Sequence, residues 1–177
     1  AAFLGAGPVA EAFLVAFSLP NMFRRFFAEG AFNMAFVPLF SKKLEGGEGA
    51  ADFARDAFSG LATVLIAFTL AAQIAMPALV LAMASGFAED DRFDMAVLFG
   101  RICFPYILLI SLAALLSGVL NSAGRFTAAA AAPVLLNVAL VAALWLGNRL
   151  GWDPGLTLAW TVPVGGVAQL ALVWVAA

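Results

Sequence analysis

The chain has 177 residues, of which 64% are hydrophobic and only 11% are charged. A soluble domain is about half apolar and about a quarter charged, so this composition excludes a soluble protein and indicates one that lies in a lipid bilayer. The formal net charge of −2 excludes a strongly basic nucleic-acid-binding protein, and the absence of histidine excludes histidine-based metal sites and catalysis.

Long uncharged runs predict the fold. Each run exceeds the roughly 20 residues that cross a hydrocarbon core, and its continuous apolarity indicates a helix rather than an alternating barrel strand. The uncharged runs are residues 57–88, 102–124, 126–148 and 154–177. We predict an all-α integral membrane protein, a polytopic helical bundle with about five transmembrane segments. The predicted spans are residues 8–44, 52–85, 92–121, 126–148 and 154–177.

Internal prolines interrupt the predicted spans. The first span is irregular, because Pro20 and Gly30 interrupt it and because it is too long for one simple crossing. Membrane helices tolerate internal prolines where neighbouring helices or waters satisfy the freed carbonyl groups. We interpret the prolines of the later spans as static kinks in preference to moving hinges: Pro77, Pro105, Pro133 and Pro163.

Basic residues in the loops predict the orientation. If successive loops alternate between the two sides, one side carries four cations and the other carries two. The first side has Lys42, Lys43, Arg55 and Arg125, and the second has Arg92 and Arg149. The positive-inside rule places the first set in the cytoplasm.

The stretch "LPNMFRRFFAEGAF", residues 19–32, places two arginines among phenylalanines. Arg24 follows Glu11 by 13 residues, about 20 Å of helix, so we expect it within the depth of the membrane. A charged side chain there costs at least about 2.5–3.5 kcal/mol. Arg25 and Glu29 have the i,i+4 spacing of an ion pair, which leaves Arg24 without a local charged partner.

Two interpretations of Arg24 stay open on the residues alone. In the first, the arginines meet lipid headgroups at the membrane interface, and the nearby phenylalanines form part of an interfacial belt. In the second, Arg24 faces a water-filled cavity between helices and binds an anion, since a guanidinium fork suits a phosphate or pyrophosphate. Pro20 and Asn21, just before it, would let the helix bend and open that cavity.

Four blocks in order over nearly the whole chain resemble the MurJ/MviN family of lipid II flippases of the bacterial inner membrane. The blocks are "EAFLVAFSLPNMFRRFFAEGAFNMAFVPLF" (11–40), "FPYILLISLAALLSGVLNSAGRF" (104–126), "AAPVLLN" (131–137) and "LAWTVPVGGVAQL" (158–170). The acidic loop "SGFAEDDRF" (85–93) is also similar to the extracytoplasmic loop of the family.

The resemblance implies a larger architecture and a function. Family members have fourteen core helices in two lobes, and this chain would supply helices two to six of the first lobe. The family moves lipid II, an undecaprenyl-pyrophosphate-linked peptidoglycan precursor, to the outer leaflet by alternating access through a cationic cavity. In the family the first arginine of the pair is a cavity residue needed for function, and this role carries over to Arg24. Glu11 matches the family's acidic position, which is usually aspartate. We predict Arg24, Arg25 and Glu11 as substrate-binding residues. The resemblance also marks Pro133 as a functionally sensitive position. We predict Pro133 and Pro20, which would let its helix bend, as conformational residues.

The residues are compatible with two other classes of function. An exporter of another polyprenyl-linked saccharide or of a drug-like cation is one alternative, although a cation exporter would more naturally line its cavity with carboxylates. A non-transporting membrane scaffold that organises wall-synthesis proteins is another, and such proteins are further candidate partners beside lipid II and membrane lipids. We expect no cofactor, no metal and no ATP hydrolysis, because no phosphate-cradling loop is present.

Several polar and small residues within the spans have structural interpretations. We interpret Asn137, Gln73 and Gln169 as helix–helix hydrogen-bonding residues. The Gly165-Gly166 pair is interpreted as a site of close helix packing. The chain lacks an initiator methionine and both ends look cut, so we expect it to be an internal piece of a longer protein.

Overall fold

The computed structural model describes residues 7–25, 31–47, 49–87 and 91–177. Within these ranges the chain is helical and contains no strand, which confirms the predicted all-α class. A short 3-10 turn at Ser85–Phe87 precedes the fourth helix. The helices are α1 Pro8–Arg24, α2 Ala31–Gly46, α3 Ala50–Met83, α4 Asp91–Cys103, α5 Tyr106–Ser122, α6 Phe126–Leu150 and α7 Pro154–Ala176.

Four helical stretches of the described chain are long and apolar enough to cross a membrane. They are Ala50–Met83, Asp91–Ser122, Phe126–Leu150 and Pro154–Ala176. The predicted first span, residues 8–44, contains two shorter helices, α1 with 17 residues and α2 with 16. Glu29 and Gly30, which the sequence analysis used in this span, lie outside the described residues.

The predicted third span is divided at Pro105, where α4 gives way to α5 after a turn. A proline has no N–H group, so the carbonyl of the residue four positions earlier, Arg101, loses its usual helical donor. The Nε2 atom of Gln73 on α3 donates to that carbonyl at 2.8 Å. Gln73 therefore joins two helices, as predicted, and it satisfies the one carbonyl that the proline frees.

The loop cations lie at opposite ends of the bundle in the two predicted sets. At one end, the Arg92 guanidinium contacts the Glu11 carboxylate at 2.5 Å, which joins the starts of α4 and α1. At the other end, the hydroxyl of Ser41 donates to that of Ser122 at 3.3 Å, which brings the end of α2 beside the end of α5. Lys43 lies 5.6 Å from the ring centroid of Phe53 at this second end.

Helix α7 packs against α1, α4, α5 and α6 and organises the core. The helices approach closely at Gly165 and Gly166, where an added Cβ would come within 2.5 Å of Leu136 and 2.8 Å of Tyr106. The prediction that this glycine pair permits close packing is confirmed. The packed wall of α5, α6 and α7 forms one side of the candidate site.

Candidate functional site

A cavity of about 560 Å³ lies between α2, α5 and α6, beside the carboxyl end of α1. We call it the large cavity. Small, apolar and neutral polar side chains form most of its wall, including Ser117, Asn121 and Ser122. Arg24 is the one charged residue among the described residues that line it. The large cavity is therefore electrostatically positive at Arg24.

A second cavity of about 180 Å³, the small cavity, adjoins the first. Both cavities are lined by Arg24, Ile110 and Pro133, so Arg24 lies where they meet. The small cavity adds Asn21 and Asn137 to its lining. No aspartate or glutamate of the described chain lines either cavity. An anion entering from the large cavity would meet the Arg24 guanidinium and the neutral amide side chains of the small cavity.

The position of the cavity-lining part of α6 within a membrane can be derived from its distance to the charged residues at the two ends of the helix. Pro133 lies eight residues after Arg125 and 16 before Arg149, which is about 12 Å and 24 Å of helix. These distances place the cavity-lining part of α6 inside a hydrocarbon core of about 30 Å. Arg24 lines the same cavities as Pro133 and so faces the helices of the bundle. This position is the one that the cavity interpretation of Arg24 predicts.

Arg24 is oriented by a residue of its own helix. Its Nε donates to the Oδ1 atom of Asn21, three positions earlier, at 3.1 Å. Arg24 is half-buried, whereas Arg25 is exposed. Successive residues of a helix project about 100° apart, so the two arginines face different surroundings. The spacing of three residues between Asn21 and Arg24 is the sequence signal for this contact, whereas the sequence predicted only a bend of the helix at Asn21.

A buried hydrogen-bonded group supports the wall of the small cavity. The Tyr106 hydroxyl donates to Oε1 of Gln169 at 3.2 Å, and Gln169 Nε2 donates to the carbonyl of Ala132 at 2.7 Å. Gln169 thus joins α7 to α5 and α6, as predicted. The role of Tyr106 was missed, because its partner lies 63 residues further along the chain and no local pattern connects them.

The prediction that Asn137 hydrogen-bonds to another helix is wrong. Its Nδ2 donates to the carbonyl of Pro133 in the same helix at 3.4 Å, and not to another helix. The side chain is exposed on α6 and lines the small cavity. In a helix, a side chain can reach the carbonyl four positions earlier, so Asn137 finds its acceptor within α6.

The structure does not bring all predicted site residues together. Glu11 lies at the amino-terminal end of α1 in its ion pair with Arg92, and neither Glu11 nor Arg25 lines the two cavities. Pro20 is buried inside α1, and the helix continues through it to Arg24. Pro133 lies inside α6 and forms part of both cavity walls.

Within the described ranges, no group of three or more cysteine, aspartate or glutamate side chains could hold a metal ion. The geometry instead suits electrostatic binding. A guanidinium presents a planar fork of N–H donors that matches phosphate oxygens, and its charge acts strongly where water and dielectric screening are reduced.

The fold and the cavities define a multi-pass helical membrane protein with a cationic interior site, an arrangement typical of transporters with anionic cargo. The chain belongs to the lipid II flippase MurJ family, whose profile matches residues 1–177. Members of this family are named as flippases, which are transporters and not enzymes.

Individual relatives are similar in sequence to this chain over nearly its whole length. A probable lipid II flippase MurJ of Rhizobium meliloti (strain 1021) is 50% identical over 183 residues, which cover 99% of this chain and 34% of the relative. The lipid II flippase MurJ of Burkholderia cenocepacia is 45% identical over 169 residues, covering 93% of this chain and 33% of the relative. The chain thus spans about a third of the length of these relatives.

A solved structure has the same fold. It is described as lipid II flippase MurJ in an inward closed conformation, and it matches with a TM-score of 0.77 at 23% sequence identity. The match covers 96% of this chain and 35% of that chain. At this identity the likeness establishes the fold alone.

Proposed function

We propose that the chain is part of a flippase that moves lipid II across the bacterial inner membrane by alternating access. The cargo is an undecaprenyl-pyrophosphate-linked glycolipid, and its headgroup is anionic. The names of the relatives and the chemistry of the cavities support this proposal together. The position of Arg24, where two cavities between the helices meet, is the observation that carries it.

The proposed mechanism assigns a distinct task to Arg24. The pyrophosphate enters from the inner leaflet and accepts hydrogen bonds from the guanidinium, while the lipid tail stays in the bilayer. A cation within the membrane is costly, and an anionic cargo bound to it would stabilise it. Rocking of the lobes then exposes the headgroup outward. Arg25 and Glu11 stay predicted contributors to cargo binding, and Pro20 and Pro133 stay predicted conformational residues.

Complementation tests the proposal in cells depleted of their own lipid II flippase. The full-length protein carrying Arg24→Ala should fail to support growth, and Arg24→Lys should support it poorly, because lysine keeps the charge but loses the bidentate fork. Arg55→Gln is the matched control. Arg55 is exposed on α3, its guanidinium lies 3.6 Å from the Asp52 carboxylate, and it does not line either cavity. Normal growth with Arg24→Ala would remove Arg24 from the mechanism.

A second variant tests the neighbouring arginine. Arg25 lines neither cavity in this structure, so it would contact the cargo only in another conformation of the transporter. If it does, Arg25→Gln should impair growth. Normal growth with Arg25→Gln would show that, of the two arginines, only Arg24 binds the cargo. Equal accumulation of all variants in the membrane is required for the comparison.

A further inference from the structure

An ordered cation lies at the far end of α6, away from both cavities. The guanidinium carbon of Arg149 is 4.1 Å from the ring centroid of Trp145, one helical turn earlier. Stacking on an aromatic face restricts a guanidinium while leaving its N–H edge open for a phosphate. In the described chain, no carboxylate forms an ion pair with Arg149. The stacked guanidinium is therefore a preformed anion contact.

An apolar groove continues from this cation along the same face of α6. It has a volume of about 480 Å³ and is lined by Val138, Val141 and Trp145, among others. Arg149 lies 11 residues after Val138, which corresponds to about 16 Å of helix. This length is about half of a hydrocarbon core of roughly 30 Å. The groove therefore has the depth of a single leaflet, with the cation at its polar end.

A second apolar groove, of about 590 Å³, lies on the other side of that helix, between α6 and α7. Leu146, Leu156 and Trp160 contribute to its wall. At about 100° per residue, Arg149 projects between Trp145 on one side and Leu146 on the other. One cation above two apolar grooves matches one phosphate above two acyl chains.

We propose that this end of α6 binds a two-chain phospholipid of the bilayer. The phosphodiester contacts Arg149, and the acyl chains occupy the two grooves. This α6 lipid site is independent of the proposed cargo and needs only that the chain lies in a membrane. Asp153 also lines the second groove, but its carboxylate accepts the N–H of Leu156 at 2.7 Å and caps α7. Its charge is therefore directed to the helix amino terminus, where carboxylates are stabilised.

Native mass spectrometry of the full-length protein with added phosphatidylglycerol tests the charged contact. Arg149→Gln should weaken retention of one lipid by about tenfold, since hydrogen bonds to charged groups are the strong ones. Trp145→Leu should weaken it as well, by freeing the guanidinium. Arg125→Gln is the matched control, because Arg125 is an exposed arginine at the opposite end of the same helix. Equal retention by Arg149→Gln and Arg125→Gln would overturn the proposal.

A second measurement distinguishes a lipid from a helix of the remaining protein on this face. A fluorophore attached to Val141→Cys should be quenched by phosphatidylglycerol with brominated acyl chains in reconstituted vesicles. Val141 is 70% exposed, whereas the native Cys103 is fully buried and should not react. Failure of the cysteine to label, or labelling without quenching, would mean that protein covers the groove and would overturn the lipid site.

Discussion

At the scale of single residues, adjacent arginines have different surroundings. Arg24 faces two interior cavities, and Arg25 is exposed. The sequence predicted that Arg24 would lie within the depth of the membrane. It could not predict which side would hold a cavity, because the cavity walls come from α2, α5 and α6, far along the chain.

Asn21 is expected to position Arg24 for its cargo. Asn21→Leu removes the acceptor of the Arg24 Nε hydrogen bond while leaving the charge in place. We expect the affinity of the full-length protein for lipid II to fall about fivefold, the effect of losing roughly 1 kcal/mol of hydrogen bonding. Binding of a fluorescent lipid II analogue to the reconstituted protein measures this change.

The matched control for Asn21 is on the same helix. Ser18→Ala removes an exposed hydroxyl whose hydrogen bond goes only to the carbonyl of Leu14, so lipid II affinity should be unchanged. If Asn21→Leu binds lipid II as tightly as the unmodified protein, Asn21 has no positioning role.

At the scale of helices, prolines had unequal consequences. α6 continues through Pro133, whereas the chain turns at Pro105 and begins α5. Uncharged runs predicted the long helices well, because apolar length directly reflects the thickness of the bilayer. The outcome at each proline was not predictable, since it depends on which neighbouring side chain satisfies the freed carbonyl. At Pro105 that side chain is Gln73, 28 residues before the Arg101 carbonyl that it contacts.

The Gln73 contact gives a prediction that a second substitution, Pro105→Ala, can test. Gln73→Leu should destabilise the full-length protein by about 1 kcal/mol, a typical value for a membrane-embedded hydrogen bond, because the Arg101 carbonyl loses its donor. Pro105→Ala restores a backbone N–H four residues after Arg101, so the same leucine substitution should cost less in that background. Thermal unfolding in detergent micelles measures all four combinations. An equal loss with proline and with alanine at position 105 would show that Gln73 does not act through this carbonyl.

At the scale of the whole molecule, charges separate to the two ends of the bundle. The contact of Glu11 with Arg92 marks one end, and the pair of Ser41 with Ser122 marks the other. Lys43 and Arg125 lie at this second end, two residues after Ser41 and three after Ser122. Cations that the positive-inside rule assigns to the cytoplasm therefore share one end of the bundle. The chain matches only about a third of its relatives' length, and yet this third already contains charge asymmetry sufficient to predict an orientation.

That orientation predicts opposite labelling of the two ends of α6. Single cysteines at Ala123, just before α6, and at Asn148, in its last turn, replace exposed residues that lie 25 residues apart. In right-side-out vesicles, a membrane-impermeant maleimide should label Asn148→Cys directly and Ala123→Cys only after detergent opens the vesicles. The native Cys103 is fully buried and should give no background in the undisrupted protein. The reverse labelling would show that the predicted orientation is wrong. The four-cation side would then face outward, and the Arg149 end of α6 would lie in the cytoplasmic leaflet.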